Sequence, residues 1–443
     1  MSRDDLLLHV PLPKLRERFQ IIARWRAYRQ LPAVCERILS LGTTGFDDTG
    51  DLREQGCTTI ASVLPRLDAG QLIELDRISR KQLPALATAQ LTEQGGHVGL
   101  FRSRHGWALA AMLSFHPGGR VREAMVRKLD ERHVGDEMPF LILRMNDWVK
   151  PIQALARQAM ERRLRPPMAS RIIACIPLFR RLEKWGRTDH REFLQRVDDF
   201  LSSPDIAPAR ARSLSSPDSM IRRKMFRLSI DAEPERAGEL WRLAAADPDA
   251  EIRRWALHRL EQALSLADRA TIEGFLLDRD PVHRHTAQRL LLRLDPAFDR
   301  AGFYRAIVDE SAAGTSPGDS RLRSALFGMG ETGSQDDVAR VLGFLEHPHT
   351  AIRRAALYAI AWLDIDGHIG RIIDALDDPR RRVSNDAANT LVRFANLAAA
   401  NRTRIAEIAE TAETTGSRGS SFAGENARAA LAAADDYQQR WGD

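Results

Sequence analysis

The sequence has little cysteine, few aromatic residues and no long hydrophobic run. Its 443 residues include three cysteines, Cys35, Cys57 and Cys175, an odd number without Cys-x-x-Cys spacing. This argues against a disulfide scaffold or a zinc finger and indicates thiols in a reducing, cytoplasmic compartment. Apolar stretches such as residues 107–115 are far shorter than the ~18–20 residues that cross a bilayer. The first ten residues lack the basic start and apolar length of a signal peptide, so no membrane association is expected.

Lysine is nearly absent as well. Six of the 66 basic residues are lysine, which leaves sixty arginines against 60 acidic residues and a net charge of +6. Because the acidic residues are spread through the chain, this composition favours local arginine–carboxylate pairs as readily as a polyanion-binding surface.

The usual signatures of enzymes and cofactor sites are also missing. The sequence contains no P-loop and no Gly-x-Gly-x-x-Gly between a strand and a helix. Its two His-x-His pairs, His283/His285 and His347/His349, are spaced so that the side chains diverge on a helix. No catalytic residue, metal or cofactor is therefore expected.

A phrase that recurs at a nearly constant interval is the strongest pattern in the sequence. Four of the eight copies carry Asp, His or Ser, then Pro, a short spacer, Ile or Val, and Arg, and the others depart from it at one position or more. The anchor positions are 117, 148, 217, 248, 281, 317, 348 and 379, and the successive differences are 31, 69, 31, 33, 36, 31 and 31. The long gap between 148 and 217 equals about two repeats and predicts a divergent unit within residues 169–204. The best-kept anchors are Pro117 with Arg122, Pro217 with Arg222, Pro248 with Arg253, Pro348 with Arg353, and Pro379.

Each repeat predicts a pair of antiparallel helices. The anchor supplies a helix cap and a proline for the first turn, where its missing N–H has no helical partner to lose. Apolar stripes follow at residues 351–363 and 369–376, separated by a break at residues 364–367. Because two short helices cannot bury their apolar faces alone, neighbouring pairs must stack. The expected fold is all-α, a single elongated α-solenoid.

The anchor phrases resemble a known repeat family. Asp-Pro-Asp-Ala-Glu-Ile-Arg-Arg-Trp-Ala at 247–256 and His-Pro-His-Thr-Ala-Ile-Arg-Arg-Ala-Ala at 347–356 are similar to HEAT repeats, specifically the short HEAT-like repeats first described in phycobilisome lyases. The resemblance covers about residues 115–412. It implies a solenoid used as a binding scaffold. It also implies that the anchor arginine pairs with the acidic cap of an adjacent unit, for which Asp247 and Asp378 are available.

Composition divides the chain into three regions. Residues 1–95 predict a helical N-terminal region, either divergent repeats or a cap, with helices over residues 13–30 and 31–41. Residues 96–412 are expected to form the HEAT-like solenoid. Residues 413–443 predict a flexible linker, rich in Gly, Ser and Thr over 414–424, and a C-terminal capping helix.

A second arginine series lies on the predicted second helices. Such helices normally line the concave side of HEAT-like solenoids, so these guanidinium groups are candidates for a ladder that binds phosphates or acidic peptide segments. Asp337, Glu346 and Asp374 lie nearby and would neutralise much of this charge, and solvated mixed-charge faces are the alternative. The series comprises Arg242, Arg305, Arg340, Arg371 and Arg402.

The sequence thus predicts a non-enzymatic scaffold or adaptor that captures a partner protein on its concave face. The alternative is a nucleic-acid-binding protein, suggested by the pI of 9.5, which would include an enzyme similar to the HEAT-like alkylpurine DNA glycosylases. That activity needs aromatic side chains and a carboxylate on the concave face. Trp241, two residues from Glu239, is the candidate, whereas Trp255 and Trp362 are predicted to lie in the core.

Overall fold

The polypeptide is helical throughout the part that the structure describes. This computed structural model describes residues 28–41, 48–83, 101, 104–262, 269–312, 319–415 and 418–441. In these residues the secondary structure consists of α-helices, short 3₁₀-helices and turns, without strands. The fold is an all-α solenoid, which confirms the predicted fold class. The chain divides into two compact units, Met1–Leu240 and Trp241–Asp443.

The first unit is built from short helices around one apolar core that includes Ile38, Leu113 and Ile152. Its α-helices are α1 (Leu31–Leu41), α2 (Asp48–Val63), α3 (Ala69–Gln82), α4 (Gly106–Leu113), α5 (Gly119–Asp130), α6 (Met138–Met145), α7 (Lys150–Glu161), α8 (Ala169–Ala174), α9 (Ile176–Leu182), α10 (Arg191–Ser202), α11 (Ala207–Ser213), α12 (Ser219–Ala232) and α13 (Ala237–Ala245), the last of which contains the boundary.

The second unit continues the alternation of longer first helices and, for the most part, shorter second helices. Its α-helices are α14 (Ala250–Gln262), α15 (Arg269–Phe275), α16 (Pro281–Leu294), α17 (Arg300–Ala312), α18 (Asp319–Thr332), α19 (Val338–Leu342), α20 (Thr350–Leu363), α21 (Ile365–Asp374), α22 (Arg381–Arg393), α23 (Ala395–Ala400), α24 (Arg402–Thr415) and α25 (Arg418–Trp441). Across both units the 3₁₀-helices are Tyr28–Gln30, Leu64–Arg66, Pro166–Met168, Pro204–Ile206, Pro234–Arg236, Gln335–Asp337, Gly343–Glu346 and Ala375–Asp377.

The first helices follow the spacing of the sequence repeat. Helices α5, α7, α12, α14, α16, α18, α20 and α22 begin at or just after an anchor. The long interval between the anchors at 148 and 217 contains a further pair, α10 and α11, together with the second helices α8 and α9 of the preceding repeat. In the second unit α18 packs against α20, and α20 against α22, so equivalent residues of successive first helices share one face.

The anchors do not cap the first helices in the way the sequence predicts. Helix α20 begins at Thr350 and α14 at Ala250, two residues after their anchor prolines. The anchor aspartate instead accepts a hydrogen bond from the backbone two residues later, as Asp247 Oδ1 does from Asp249 N at 2.7 Å. The predicted cap occurs in the register-shifted copy, where Asp280 caps α16 and Pro281 is its first residue.

A glycine in the middle of α18 permits the closest packing in the second unit. A Cβ on Gly328 would lie 2.2 Å from the ring of Tyr304, which is fully buried on α17. The Tyr304 hydroxyl donates to the carbonyl of Leu276 at 3.1 Å, which fixes the ring. Glycine in a helix interior normally costs stability, and here it makes room for an aromatic ring.

The ends of the chain agree with the sequence analysis in part. The helix predicted over residues 31–41 is α1. The helix predicted over residues 13–30, the boundary at residue 95 and the anchor at 317 lie largely or wholly outside the described residues. Helix α24 extends to Thr415 and α25 begins at Arg418, so helix occupies most of the segment that composition predicts as a linker.

Candidate functional site

The anchor arginines join neighbouring repeats through their guanidinium groups. Arg353 Nε and Nη2 donate to the two carboxylate oxygens of Asp378 at 2.7 and 2.9 Å. Arg353 Nη1 donates to the carbonyl of His347 at 2.8 Å, so the anchor turn and the next anchor are held by one side chain. The same bidentate pairing over 25 residues joins Arg122 to Asp147 and Arg253 to Asp278.

The carboxylate of Asp147 stays ionised in the interior. Asp147 and Arg122 are both fully buried. Burial alone raises the pKa of Asp147, but the hydrogen bond from Arg122 and the charge of Arg144 outweigh burial and hold this pKa below its usual value. These contacts assign the anchor arginines to the joints between repeats.

Arg222 keeps the turn contacts of this arrangement, because it donates to the carbonyls of Ser216 and Pro217 at 2.7 and 3.2 Å. One anchor departs from it. In the copy that begins at Pro379, Ser384 replaces the arginine, and its hydroxyl accepts a hydrogen bond from Asn426 of α25 at 2.7 Å. Ser384 therefore contacts helix α25 in place of a following anchor.

Most of the second-helix arginines are occupied by aspartates. Arg305 of α17 makes a bidentate pair with Asp337, at 2.7 and 2.9 Å. Arg340 of α19 contacts Asp309 at 3.1 Å and Asp337 at 3.2 Å. Asp337 is 1% exposed, and the hydrogen bond from Arg305 lowers its pKa. The predicted ladder is therefore largely a set of inter-repeat ion pairs on this surface.

One arginine of the series differs from the others. Asp309, Arg340, Arg371 and Arg402 occupy equivalent positions in successive repeats. Arg402 Nε donates to Asp435 of α25 at 2.8 Å, so the arginines on either side of Arg371 each hold an aspartate. Arg371 is exposed, and no carboxylate pairs with it among the described residues.

The remaining residues of the predicted ladder lie at the start of the second unit. Trp241 is half-buried, and its ring lies 4.7 Å from that of Trp255. Arg242 is exposed on the same helix. Glu239, the carboxylate predicted beside Trp241, accepts from Arg236 at 3.1 and 3.2 Å.

Nucleophilic and metal-binding side chains are poorly placed for chemistry. Cys35, Cys57 and Cys175 are buried, and burial raises the pKa of Cys175 to about 12, so its thiol stays protonated. In the part of the chain that the structure describes, no cluster of histidine, cysteine and carboxylate side chains has the arrangement of a metal site. No helix among the described residues is long and apolar enough to cross a membrane.

A row of aromatic rings, two half-buried and one exposed, runs across first helices of the second unit. Phe327 of α18 and Tyr358 of α20 meet at 5.0 Å in an edge-to-face arrangement, and Tyr358 lies 5.9 Å from Trp362. Arg284 stacks over Phe327 at 5.5 Å, and Arg393 of α22 stacks over Trp362 at 4.5 Å. The prediction that Trp362 belongs to the core is wrong, because 47% of its surface is exposed.

These rings form one wall of a groove of about 420 Å³, which we call the aromatic groove. Arg354 crosses it and binds Asp386 through Nε at 2.6 Å. Asn389 and Thr390 of α22 add hydrogen-bonding groups beside Trp362. The groove is lined by Phe327, Arg354, Leu357, Tyr358, Ala361, Trp362, Asp386, Asn389, Thr390, Arg393 and Phe394.

The repeat itself contains the signal that would have located the groove. Phe327, Tyr358 and Asn389 occupy the same position in three successive repeats, and Trp362 and Arg393 share another such position. Positions on one such column face the same side of stacked first helices. An apolar stripe indicates which residues could be buried. It does not distinguish a residue on the core face of a first helix from an exposed aromatic residue at the edge of the stripe.

Comparisons with known proteins do not identify a family for this chain. No protein-family model matches the sequence, and no curated protein matches it. Among solved structures, importin beta crystallised in an ammonium sulfate condition is similar over 100% of this chain and 69% of that chain, at 11% sequence identity and a TM-score of 0.34. The fold assignment therefore rests on the helix order and on the regular sequence repeat.

Proposed function

We propose that this protein is a non-enzymatic scaffold that binds a partner protein through its helical repeats. The observation that carries the proposal is the aromatic groove, in which Trp362 is 47% exposed beside Tyr358 and Arg393. Tryptophan, tyrosine and arginine are the residue types that dominate binding energy at protein–protein interfaces. Apolar surface with a polar rim is also typical of interaction sites.

The polar groups of the groove support binding rather than bond-breaking chemistry. Asp386 is its lining carboxylate, and it is held by Arg354. The guanidinium of Arg393 and the side chains of Asn389 and Thr390 can orient a bound chain, as the few polar groups of a binding site usually do.

A second contact surface is proposed on the face built from the second helices, the face that the sequence predicts to be concave. Stacked repeats create extended surfaces of this kind. Arg371 is its candidate contact, because the neighbouring Arg340 and Arg402 already bind aspartates. Arg242, Arg305 and Trp241 would contribute only after exchanging partners that they hold within the chain.

The proposal includes the repeat class and the compartment. We assign the repeats to the short HEAT-like class on the phrases at 247–256 and 347–356. We place the protein in the cytoplasm, because three buried thiols suit a reducing compartment.

The experiment compares partner capture by the full-length protein and by two tryptophan variants. Immobilised protein is incubated with an extract of its source cells, and bound proteins are quantified by mass spectrometry. Trp362→Ala is expected to lose the specific partner because it removes the most exposed ring of the aromatic row. Trp441→Ala is the matched control, since Trp441 is 73% exposed at the end of α25 and should retain capture.

Equal capture by both variants would show that the groove is not the binding site. A third variant, Arg371→Glu, tests the second-helix face. Arg340→Glu is unsuitable there, because it would place a carboxylate against Asp309 and Asp337. The nucleic-acid alternative is tested with a labelled DNA 20-mer, whose binding should fall steeply with salt if phosphates are the ligand. Retention of DNA with such a slope would replace the scaffold proposal.

A further inference from the structure

The aromatic groove carries more positive than negative charge. Arg354 is neutralised by Asp386, but no carboxylate pairs with Arg393 among the described residues. Arg323, one helical turn before Phe327 on α18, is likewise without a carboxylate partner in the described part of the chain. Both ends of the aromatic row therefore present a guanidinium group without a carboxylate partner among the described residues.

Positive charge is most concentrated at the Arg323 end. Arg323 is half-buried, and burial together with the charges of Arg279, Arg354 and Arg284 lowers its pKa. Arg284 is paired with Glu331, whereas Arg279 is exposed and has no described carboxylate partner. An anion placed beside Arg323 would relieve repulsion that the folded chain leaves uncompensated.

The repeat geometry sets the distance between Arg323 and Arg393. Arg393 lies two repeats after position 331, which is eight residues beyond Arg323 on α18. Packed helices lie about 8–10 Å apart and eight helical residues rise about 12 Å, so Arg323 and Arg393 are roughly 20–25 Å apart. An extended chain of about six or seven residues spans this distance at about 3.3 Å per residue.

We infer that the aromatic groove binds an extended acidic segment of a partner protein, with an apolar side chain against Tyr358 and Trp362 and carboxylates at Arg323 and Arg393. The inference rests on the proposed scaffold function and specifies the chemistry of the partner. Bidentate arginine–carboxylate pairs fix the two ends of the segment, and the ring contacts supply apolar burial between them.

A peptide fits this groove better than a single-stranded nucleic acid does. Sequence-tolerant binding of a single strand relies on successive bases that stack on open aromatic faces. Here Phe327 is covered by Arg284 and meets Tyr358 edge to face, so Trp362 offers the main exposed ring.

The test uses a fluorescein-labelled peptide, Glu-Glu-Ser-Gly-Phe-Gly-Ser-Glu-Glu, with the full-length protein and fluorescence anisotropy. Saturable binding is expected. Replacing the four glutamates by lysine, or Phe by Ala, should weaken binding about tenfold or more, since each change removes charge-assisted hydrogen bonds or ring burial. Comparable affinity of the acidic and basic peptides would overturn the inference.

Protein variants identify the groove as the binding site. Arg393→Gln and Arg323→Gln should each weaken the acidic peptide about three- to tenfold, as the loss of one charge-assisted contact predicts. Arg323→Gln should leave the melting temperature unchanged or higher, because it removes charge repulsion. Arg440→Gln, on the 68%-exposed Arg440 of α25, is the matched control.

The outcomes separate this inference from the proposed function. Unchanged affinity in both groove variants, or displacement of the peptide by an equal concentration of a DNA 20-mer, would overturn the acidic-segment inference. If the peptide fails to bind while partner capture still depends on Trp362, the scaffold proposal stands and the partner chemistry is wrong. If capture is also independent of Trp362, both fail.

Discussion

A single buried guanidinium group shows how strongly these repeats are coupled. Arg122 donates hydrogen bonds to Asp147 and to the carbonyls of His116 and Pro117. Both members of the Arg122–Asp147 ion pair are fully buried. Removing the cation leaves a buried carboxylate without its main partner, and such losses cost about 3–5 kcal/mol. We therefore expect Arg122→Ala to lower the free energy of unfolding by about this amount in urea titrations.

The matched control for this change lies on the same helix. Arg127 of α5 is 60% exposed and pairs with Glu123 one turn away. Exposed pairs of this kind contribute about 0.3–0.5 kcal/mol, so Arg127→Ala should be nearly neutral. A similar small effect of both substitutions would contradict the structural role of the anchor arginines.

The anchor carboxylates predict a dependence of stability on acid pH. Burial raises the pKa of Asp278, but the His283 ring, 3.2 Å away, and the hydrogen bonds from Arg253 dominate and place this pKa well below the unfolded value of about 3.9. The resulting stabilisation is complete above the unfolded pKa and is lost as pH falls toward the folded one. The melting temperature of the wild type should therefore exceed that of Asp278→Asn by a constant margin above about pH 5.

Below about pH 4 this margin should shrink, because the Asp278 carboxyl group takes up a proton in the unfolded wild type while it stays ionised in the folded state, and the asparagine cannot change. Thermal unfolding followed by circular dichroism at several pH values measures it. A margin that stays constant down to about pH 2.5 would mean that Asp278 does not carry the stabilising charge.

At the residue scale, spacing is informative where chemistry repeats. Asp378 is predicted as an acceptor for an anchor arginine, and Arg353 Nε donates to it at 2.7 Å. Trp362 shows where spacing fails. It lies four residues after Tyr358, on the edge of the apolar stripe, and only the position of α22 decides whether that edge is covered. Hydrophobicity alone gives the same score to a core residue and to an exposed contact residue.

Helices are the scale at which the sequence is most informative. The regular succession of helix pairs follows from the anchors, but the lengths of the helices do not. Helix α19 has five residues before a 3₁₀ turn, and α21 begins at Ile365, inside the predicted break. Asp364 accepts a hydrogen bond from Gly367 N and caps α21, while His368 has non-helical backbone angles. A cap and a kink replace the simple break that composition suggests.

The close approach of α17 and α18 gives a prediction at this scale. A Cβ on Gly328 would overlap the ring of Tyr304, which its hydroxyl bond to Leu276 holds in place. Overpacking of this kind typically costs about 1–3 kcal/mol, so Gly328→Ala should lower stability in urea titrations. Gly274→Ala in α15 is the control, because a Cβ there meets nothing within 4 Å and should be neutral or stabilising by about 0.5–1 kcal/mol.

At the scale of the whole molecule, contacts run mainly between neighbouring repeats. The anchor pairs join residues 25 apart, and the pair of Arg340 with Asp309 joins residues 31 apart. Stability of such a chain is approximately a sum of repeat terms and nearest-neighbour terms, so damage should spread from one repeat to the next rather than to all repeats at once. We expect the damage to stop at the boundary between the two compact units, Leu240 and Trp241.

Hydrogen exchange can measure this limit with the two variants already described. Gly328→Ala should speed amide exchange in α17, α18 and α20 and leave α5 and α7 at the wild-type rate, because its damage lies in the second unit. Arg122→Ala should show the reverse pattern. Peptide-resolved mass spectrometry at matched pH and temperature gives both profiles. Equal acceleration in both units by either variant would mean that the chain unfolds as one cooperative body, and nearest-neighbour coupling would then not describe it.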